Sequence, residues 1–111
     1  MAALTSTSSA LAGTAPAPVA VSASDTIALT QFGATGVDVR VINGGGSSDT
    51  VTITDPNLTV MGSAATNPTV AVANGTTKVI FIPLSAVNQA TGLATVAHSF
   101  ITSVTIEVWR R

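Results

Sequence analysis

The sequence predicts an all-β fold, and three observations lead to this prediction. Val, Ile and Leu alternate with Thr and other polar residues over several short runs, which is the period of half-buried strands. Stretches rich in Gly, Asn and Pro separate these runs at the spacing typical of a β-sandwich. No run with a helical period is long enough to compete. We therefore expect a single β-sandwich, immunoglobulin-like or jelly-roll, of about seven or eight short strands.

An extended arm is expected before the sandwich. Residues 1–23 consist mainly of Ala, Ser, Thr, Gly and Pro, and the first charged residue is Asp25. Such a segment has little large apolar surface to offset the entropy lost on ordering. We predict an arm over residues 1–23 and a sandwich domain over residues 24–111. Two placements stay open: the arm packs on another protein or a sister copy, or Val19–Val21 adds an edge strand to its own domain.

The first half of the domain contains the strongest strand signals. Thr26–Thr30 alternates polar and apolar residues and predicts the first strand. Val37–Val41 and Thr50–Thr54 alternate cleanly around the glycine-rich loop Asn43–Ser48. These two runs predict a β-hairpin.

The second half adds shorter runs and a predicted core. Val70–Val72 precedes the turn signal Asn74–Gly75. Lys78–Ile82 is apolar on both faces, which predicts a central strand between two layers. Leu93–His98 and Ser103–Trp109 predict the last two strands. The expected core takes one face from each strand: Val37, Val39, Val41, Val51, Ile53, Val79, Phe81, Val96, Val104, Ile106 and Val108.

Composition argues against several classes of protein. The apolar content of 46% is enough for a core, so the domain is not expected to be disordered. A net charge of −1 gives no basic surface for nucleic acid or for an anionic membrane. No apolar run approaches the ~18 residues of a spanning helix. The absence of cysteine excludes disulfides, thiol catalysis and cysteine-based zinc sites.

Side chains that carry chemistry are few. The only histidine, His98, has no acid beside it in the sequence, so we expect a strand histidine with one ring nitrogen hydrogen-bonded. Asp25 and Asp49 are expected at strand entries, and Asp55 before Pro56 as a turn residue. We predict no catalytic residue, no cofactor and no metal site, and hence no enzyme.

The end of the chain carries the one concentrated recognition feature, Trp109 followed by Arg110 and Arg111. Trp and Arg are enriched at interface hot spots because they combine large contact areas with directional hydrogen bonds. In the alternative, the Trp covers the edge of the core and the arginines keep the terminus soluble. Together with apolar residues of the arm, these are the candidate partner contacts: Leu4, Leu11, Val19, Trp109, Arg110 and Arg111.

Four segments carry a resemblance to a known group of proteins: Val41–Gly46, Val51–Pro56, Asn67–Gly75 and Thr102–Arg111. Across residues 25–111 the chain resembles small virion proteins of tailed bacteriophages, above all the capsid decoration (cement) proteins of phages that infect actinobacteria. The resemblance lies in turn and strand patterns. It implies a non-enzymatic structural protein on the surface of the virion capsid, with the major capsid protein and sister copies as its partners.

Other functions stay open. A tail-tip or fibre module that binds a host receptor or glycan is the main alternative. Glycan sites place aromatic platforms beside polar loops, and the aromatic residues here are Phe32, Phe81, Phe100 and Trp109, of which Phe81 is expected to be buried. A head–tail connector or tail-tube subunit fits less well, since tube proteins need long hairpins that polymerise.

Overall fold

Two β-sheets pack face to face in the computed structural model, which describes residues 2–111. Met1, the first residue of the predicted arm, lies outside the described residues. Seven strands lie within residues 24–111, as the alternation predicts, and three short ones precede them. The strands are β1 (Ala2–Leu4), β2 (Ser6–Thr7), β3 (Val19–Ala20), β4 (Ser24–Ala28), β5 (Gly36–Asn43), β6 (Asp49–Ile53), β7 (Thr69–Val72), β8 (Thr77–Pro83), β9 (Leu93–His98) and β10 (Val104–Arg110).

The strand order confirms a sandwich built from two mixed sheets. The first sheet has the order β1-β4-β9-β6-β7, and the second has the order β2-β10-β5-β8 with β3 also paired to β10. Short 3₁₀ turns, Leu29–Gln31 and Leu84–Ala86, follow β4 and β8. No helix among the described residues is long and apolar enough to cross a membrane.

The predicted hairpin between the second and third strands of the domain is wrong. β5 pairs with β10 and β8 in the second sheet, whereas β6 pairs with β7 and β9 in the first. The loop Gly44–Ser48 therefore crosses between the sheets, and the turn Asn74–Gly75 does the same between β7 and β8. Alternation identifies the strands, but it does not say which strands pair.

The central position predicted for Lys78–Ile82 is also wrong. Within residues 2–111, β8 pairs with β5 alone and forms an edge of the second sheet. Val79 and Phe81, which the sequence places in the core, face outward with exposed fractions of 63% and 44%. Ile80 and Ile82 are the buried residues of this strand, because only one face of an outer sheet meets the other layer.

The core between the sheets confirms the other predicted residues. Each strand contributes alternate side chains, as the pleat requires. The predicted members that are buried are Val37, Val39, Val41, Val51, Ile53, Val96, Val104, Ile106 and Val108. Ile27, Val72 and Ala94 join them and are fully buried.

The first residues of the chain lie along both sheets. β1 runs parallel to β4, and β2 runs parallel to β10, so one short segment covers an edge of each sheet. Leu4 lies beside Ile27 in this pairing and is only 4% exposed, so it packs in the core and is not an available partner contact. Val19–Ala20 pairs antiparallel with β10, as in the alternative that adds an edge strand here.

Candidate functional site

A buried histidine lies between two buried carboxylates in the first sheet. Because β9 lies between β4 and β6, His98 is flanked by Asp25 on one neighbouring strand and by Asp49 on the other. All three side chains are fully buried. Buried ionisable side chains need partners, since leaving water costs several kcal/mol per ion.

Asp49 joins the imidazole to the backbone of the following turn. His98 Nδ1 lies 2.7 Å from Asp49 Oδ2, and the carboxylate can only accept, so Nδ1–H is the donor. The backbone N–H groups of Ser99 and Phe100 donate to Oδ1 at 3.0 and 3.2 Å. Asp49 therefore fixes both the imidazole and the turn that follows β9.

Asp25 faces the other ring nitrogen. Its Oδ2 lies 3.7 Å from His98 Nε2, and Nε2 has no hydrogen-bond partner among the described residues. The backbone N–H and the hydroxyl of Ser22 donate to the Asp25 carboxylate. These contacts tie the segment before β4 to the same cluster.

The Asp49–His98 pair has the geometry of an acid that orients a base, but its surroundings are closed. A catalytic base must reach a substrate proton, directly or through one water molecule. The ring of His98 is fully buried, and three surface cavities of the described part of the chain are lined by other residues. In this arrangement the cluster links β4, β9 and β6 and the turn at residues 98–100.

The sequence prediction of a strand histidine with one bonded nitrogen is confirmed, but its acidic partners were missed. Asp49 lies 49 residues before His98, so nothing near His98 indicates it. The alternation of inward and outward residues did, however, indicate these partners. Asp25 and Ile27 share the inward face of β4. In the same way, Asp49 and Val51 share the inward face of β6, and His98 and Val96 share that of β9. Three ionisable residues at inward positions predict mutual contact inside one core.

Asp55 behaves as predicted. Its carboxylate accepts the backbone N–H of Asn57 at 3.0 Å, which forms a local turn after β6. Among the described residues, no group of three or more His, Cys, Asp or Glu side chains is arranged to hold a metal ion.

Trp109, one of the predicted contacts, lies on the outer face of the second sheet. Its indole N–H donates to Glu107 at 2.9 Å, and Arg40 lies 3.5 Å from the same carboxylate. Trp109 also lines a groove of about 370 Å³ between β10 and the first residues of the chain, together with Leu4 and Val19. The structure thus brings Trp109 and Val19 together in one groove, with the buried Leu4 at its base.

Both arginines contact their own chain. Arg111 lies 3.2 Å from Asp38 and stacks 4.6 Å above the ring of Phe81. Arg110 donates to the hydroxyl of Ser6 at 3.2 Å and to the carbonyl of Thr30 at 3.4 Å. The arginines therefore fix the end of β10 against neighbouring segments, and both keep exposed surface.

Several exposed apolar side chains lie on loops at one end of the sandwich. The segments 8–18, 29–35, 54–68 and 84–92 all emerge at the end where β10 finishes, as the strand pairings require. Of the ten large apolar side chains exposed among residues 2–111, six lie on these loops. We call them the apolar loop end: Leu11, Leu29, Leu58, Val60, Met61 and Leu84.

The most exposed pair of this end is held on a small hairpin. Leu58 bridges Ala64, and the N–H of Gly62 donates to the carbonyl of Thr59 at 2.9 Å to close the turn. Val60 and Met61 occupy the two central positions of this turn, with exposed fractions of 105% and 91%. Such positions normally carry Gly, Pro, Asn, Asp or Ser. The turn therefore displays two apolar side chains on an ordered backbone.

The chain matches no protein-family model, no curated protein and no solved structure.

Proposed function

We propose that this protein is a non-enzymatic virion structural subunit that decorates the outer surface of an assembled phage capsid. The observation that carries the proposal is the apolar loop end, above all Val60 and Met61 at the tip of their hairpin. Exposed apolar side chains at one end of a small protein indicate an interaction site, because water penalises leaving apolar surface uncovered. The partner that fits is a protein surface with apolar depressions, as a capsid shell offers between its subunits.

Many identical copies make a modest interface sufficient. Among the four loops only Asp55 is charged, and Arg111 at the same end is already paired with Asp38, so association requires the desolvation of few ions. A shell repeats the same binding site by symmetry, and sister copies that also contact one another gain from multivalency. A small domain with one apolar end suits this arrangement.

The main alternative, a glycan-binding tail-tip module, finds less support. A sugar-binding platform needs an open aromatic face. Phe81 is exposed, contrary to the sequence prediction, but the guanidinium of Arg111 stacks over one face of its ring. The indole N–H of Trp109 is already bonded to Glu107. An enzyme also finds less support, because the one acid–base pair of the core is enclosed.

Electron microscopy of phage particles, with a gold-labelled antibody against this chain, tests the proposal directly. We expect label over the capsid surface. Label at the tail tip would favour the receptor-binding alternative, and label along the tail tube would favour a tube subunit. Either result would overturn the decoration proposal.

The double variant Val60→Asp/Met61→Asp is expected to weaken binding to capsids by about 100-fold or more. Each buried Val or Met side chain contributes about 1.5–3 kcal/mol, and about 1.4 kcal/mol corresponds to a factor of ten. Co-sedimentation of the purified chain with heads that lack it gives the affinity. Thermal unfolding should be unchanged, because both side chains are exposed.

The matched control is Ser47→Asp/Asn74→Asp. It adds the same two charges to exposed residues at the opposite end of the sandwich. We expect this control to bind like the unmodified chain. Equal loss in both variants would point to net charge, and undiminished binding of the Val60/Met61 variant would remove the loop end from the interface.

A further inference from the structure

One long sheet edge is open. On one side of the sandwich, β1, β2 and β3 cover the edges of β4 and β10. On the other side, the second sheet ends at β8, whose seven residues pair with β5 alone among the described residues. Folded proteins usually protect such an edge with Pro, a bulge, a charge or a covering segment. In β8, Lys78 and Pro83 stand near the two ends, and Val79–Ile82 carries none of these devices.

The free backbone groups of this edge can be identified from the pairing. The N–H of Asn43 donates to the carbonyl of Thr76, which marks a hydrogen-bonded pair just before the register Ile42–Thr77. Hydrogen-bonded pairs alternate in an antiparallel ladder, so Lys78, Ile80 and Ile82 bond to β5. Thr77, Val79 and Phe81 therefore direct their N–H and C=O groups toward the open side.

We propose that the open edge of β8 pairs with β8 of a second copy, antiparallel and about a two-fold axis at Ile80. In this register Val79 lies opposite the partner's Phe81, and the two residues exchange both backbone hydrogen bonds. The axis repeats this exchange, so the second sheet continues from one copy into the other. A two-fold contact needs a self-complementary surface, and this strand provides one.

The side chains of β8 suit this register. Val79 and Phe81, exposed by 63% and 44%, would form two aromatic–β-branched cross-strand pairs on the outer face. Lys78 lies opposite the partner's Ile82, so no like charges of the two strands face each other. The guanidinium of Arg111 stacks on Phe81 and is paired with Asp38 of its own chain. It therefore adds no unpaired positive charge to the contact.

This inference concerns the sister copies of the proposed function, but it rests on β8 alone. Its test uses the isolated full chain without capsids. A chain that dimerises in solution and fails to bind heads would keep this inference and overturn the decoration role. A chain that decorates heads and stays monomeric at every concentration would keep the decoration role and overturn this inference.

The first measurement is the molar mass in solution by sedimentation over a range of concentrations. We expect the unmodified chain to approach twice its monomer mass as concentration rises. Val79→Pro should stay monomeric, because it removes an N–H that points to the open edge and not to β5. Val79→Thr keeps that N–H and the branched side chain and should dimerise nearly as well. A monomeric unmodified chain, or a Val79→Pro variant that folds and still dimerises, would overturn the proposal.

Single cysteines test the register and do not depend on the proline variant folding. The chain has no cysteine of its own, so one introduced thiol can form a disulfide only between copies. Across the proposed axis the two Cα atoms at position 80 lie about 4.5 Å apart, within disulfide range, whereas those at position 79 lie about 8 Å apart. Ile80→Cys should therefore cross-link under mild oxidation, and Val79→Cys should not. Faster cross-linking of Val79→Cys, or none in Ile80→Cys, would overturn the arrangement.

Discussion

Replacing Asp49 with alanine is expected to destabilise the domain by about 3–5 kcal/mol, because it removes the carboxylate that accepts three hydrogen bonds, and a buried donor left without its acceptor costs about 1–3 kcal/mol. The substitution leaves three donors without their acceptor: the buried His98 Nδ1–H and the part-buried backbone N–H groups of Ser99 and Phe100. Domains of this size are typically stable by only about 5–15 kcal/mol. Urea titration of the purified chain gives the free energy of unfolding directly.

Two further variants separate the carboxylate's role from a change of charge. Asp49→Asn keeps an oxygen that can accept from Ser99 and Phe100, so its loss should be clearly smaller than that of Asp49→Ala. Asp55→Ala removes the same charge from a partly exposed turn, and we expect a loss of about 1 kcal/mol or less. If Asp49→Ala unfolds at the same urea concentration as Asp55→Ala, the buried cluster does not hold the first sheet together.

The strands of this protein can be predicted from its sequence, but their pairing cannot. Alternation in Val37–Val41 identifies β5 and its buried face, because the period of side chains along a strand is local information. The partners of β5 are β8 and β10, which lie far from it in the sequence. The loop 44–48 suits a hairpin as well as it suits a crossing between sheets. The choice between them depends on which strands best close the core.

The same reason explains the errors at β8 and at the candidate site. Lys78–Ile82 is apolar at four of its five positions, and only the strand order shows that Val79 and Phe81 face outward. Apolar residues on an outer face are consistent with the two-fold contact proposed for this edge. Likewise, Asp25, Asp49 and His98 meet because β9 lies between β4 and β6, and nothing local specifies that order.

Leu4→Ala is expected to destabilise the domain by about 2–5 kcal/mol, although it lies in a segment whose composition predicts a detached arm. Leu4 is 4% exposed and packs beside Ile27 at the edge of the first sheet. Removing its side chain leaves a cavity there and weakens the short parallel pairing of β1. Thermal and urea unfolding of the full chain measure this loss.

Leu11→Ala is the matched control for this substitution. It makes the same chemical change seven residues later in a segment of similar composition, but Leu11 is 109% exposed. We expect its stability to stay within about 0.5 kcal/mol of the unmodified chain. The difference in unfolding free energy between the two variants measures how firmly residues 2–7 are held by their own domain.

If both variants unfold like the unmodified chain, the segment before β3 contributes nothing to the isolated fold and is free to bind a capsid subunit or a sister copy. If only Leu4→Ala is destabilised, residues 2–7 belong to the sandwich, and residues 8–18, between β2 and β3, stay available to a partner.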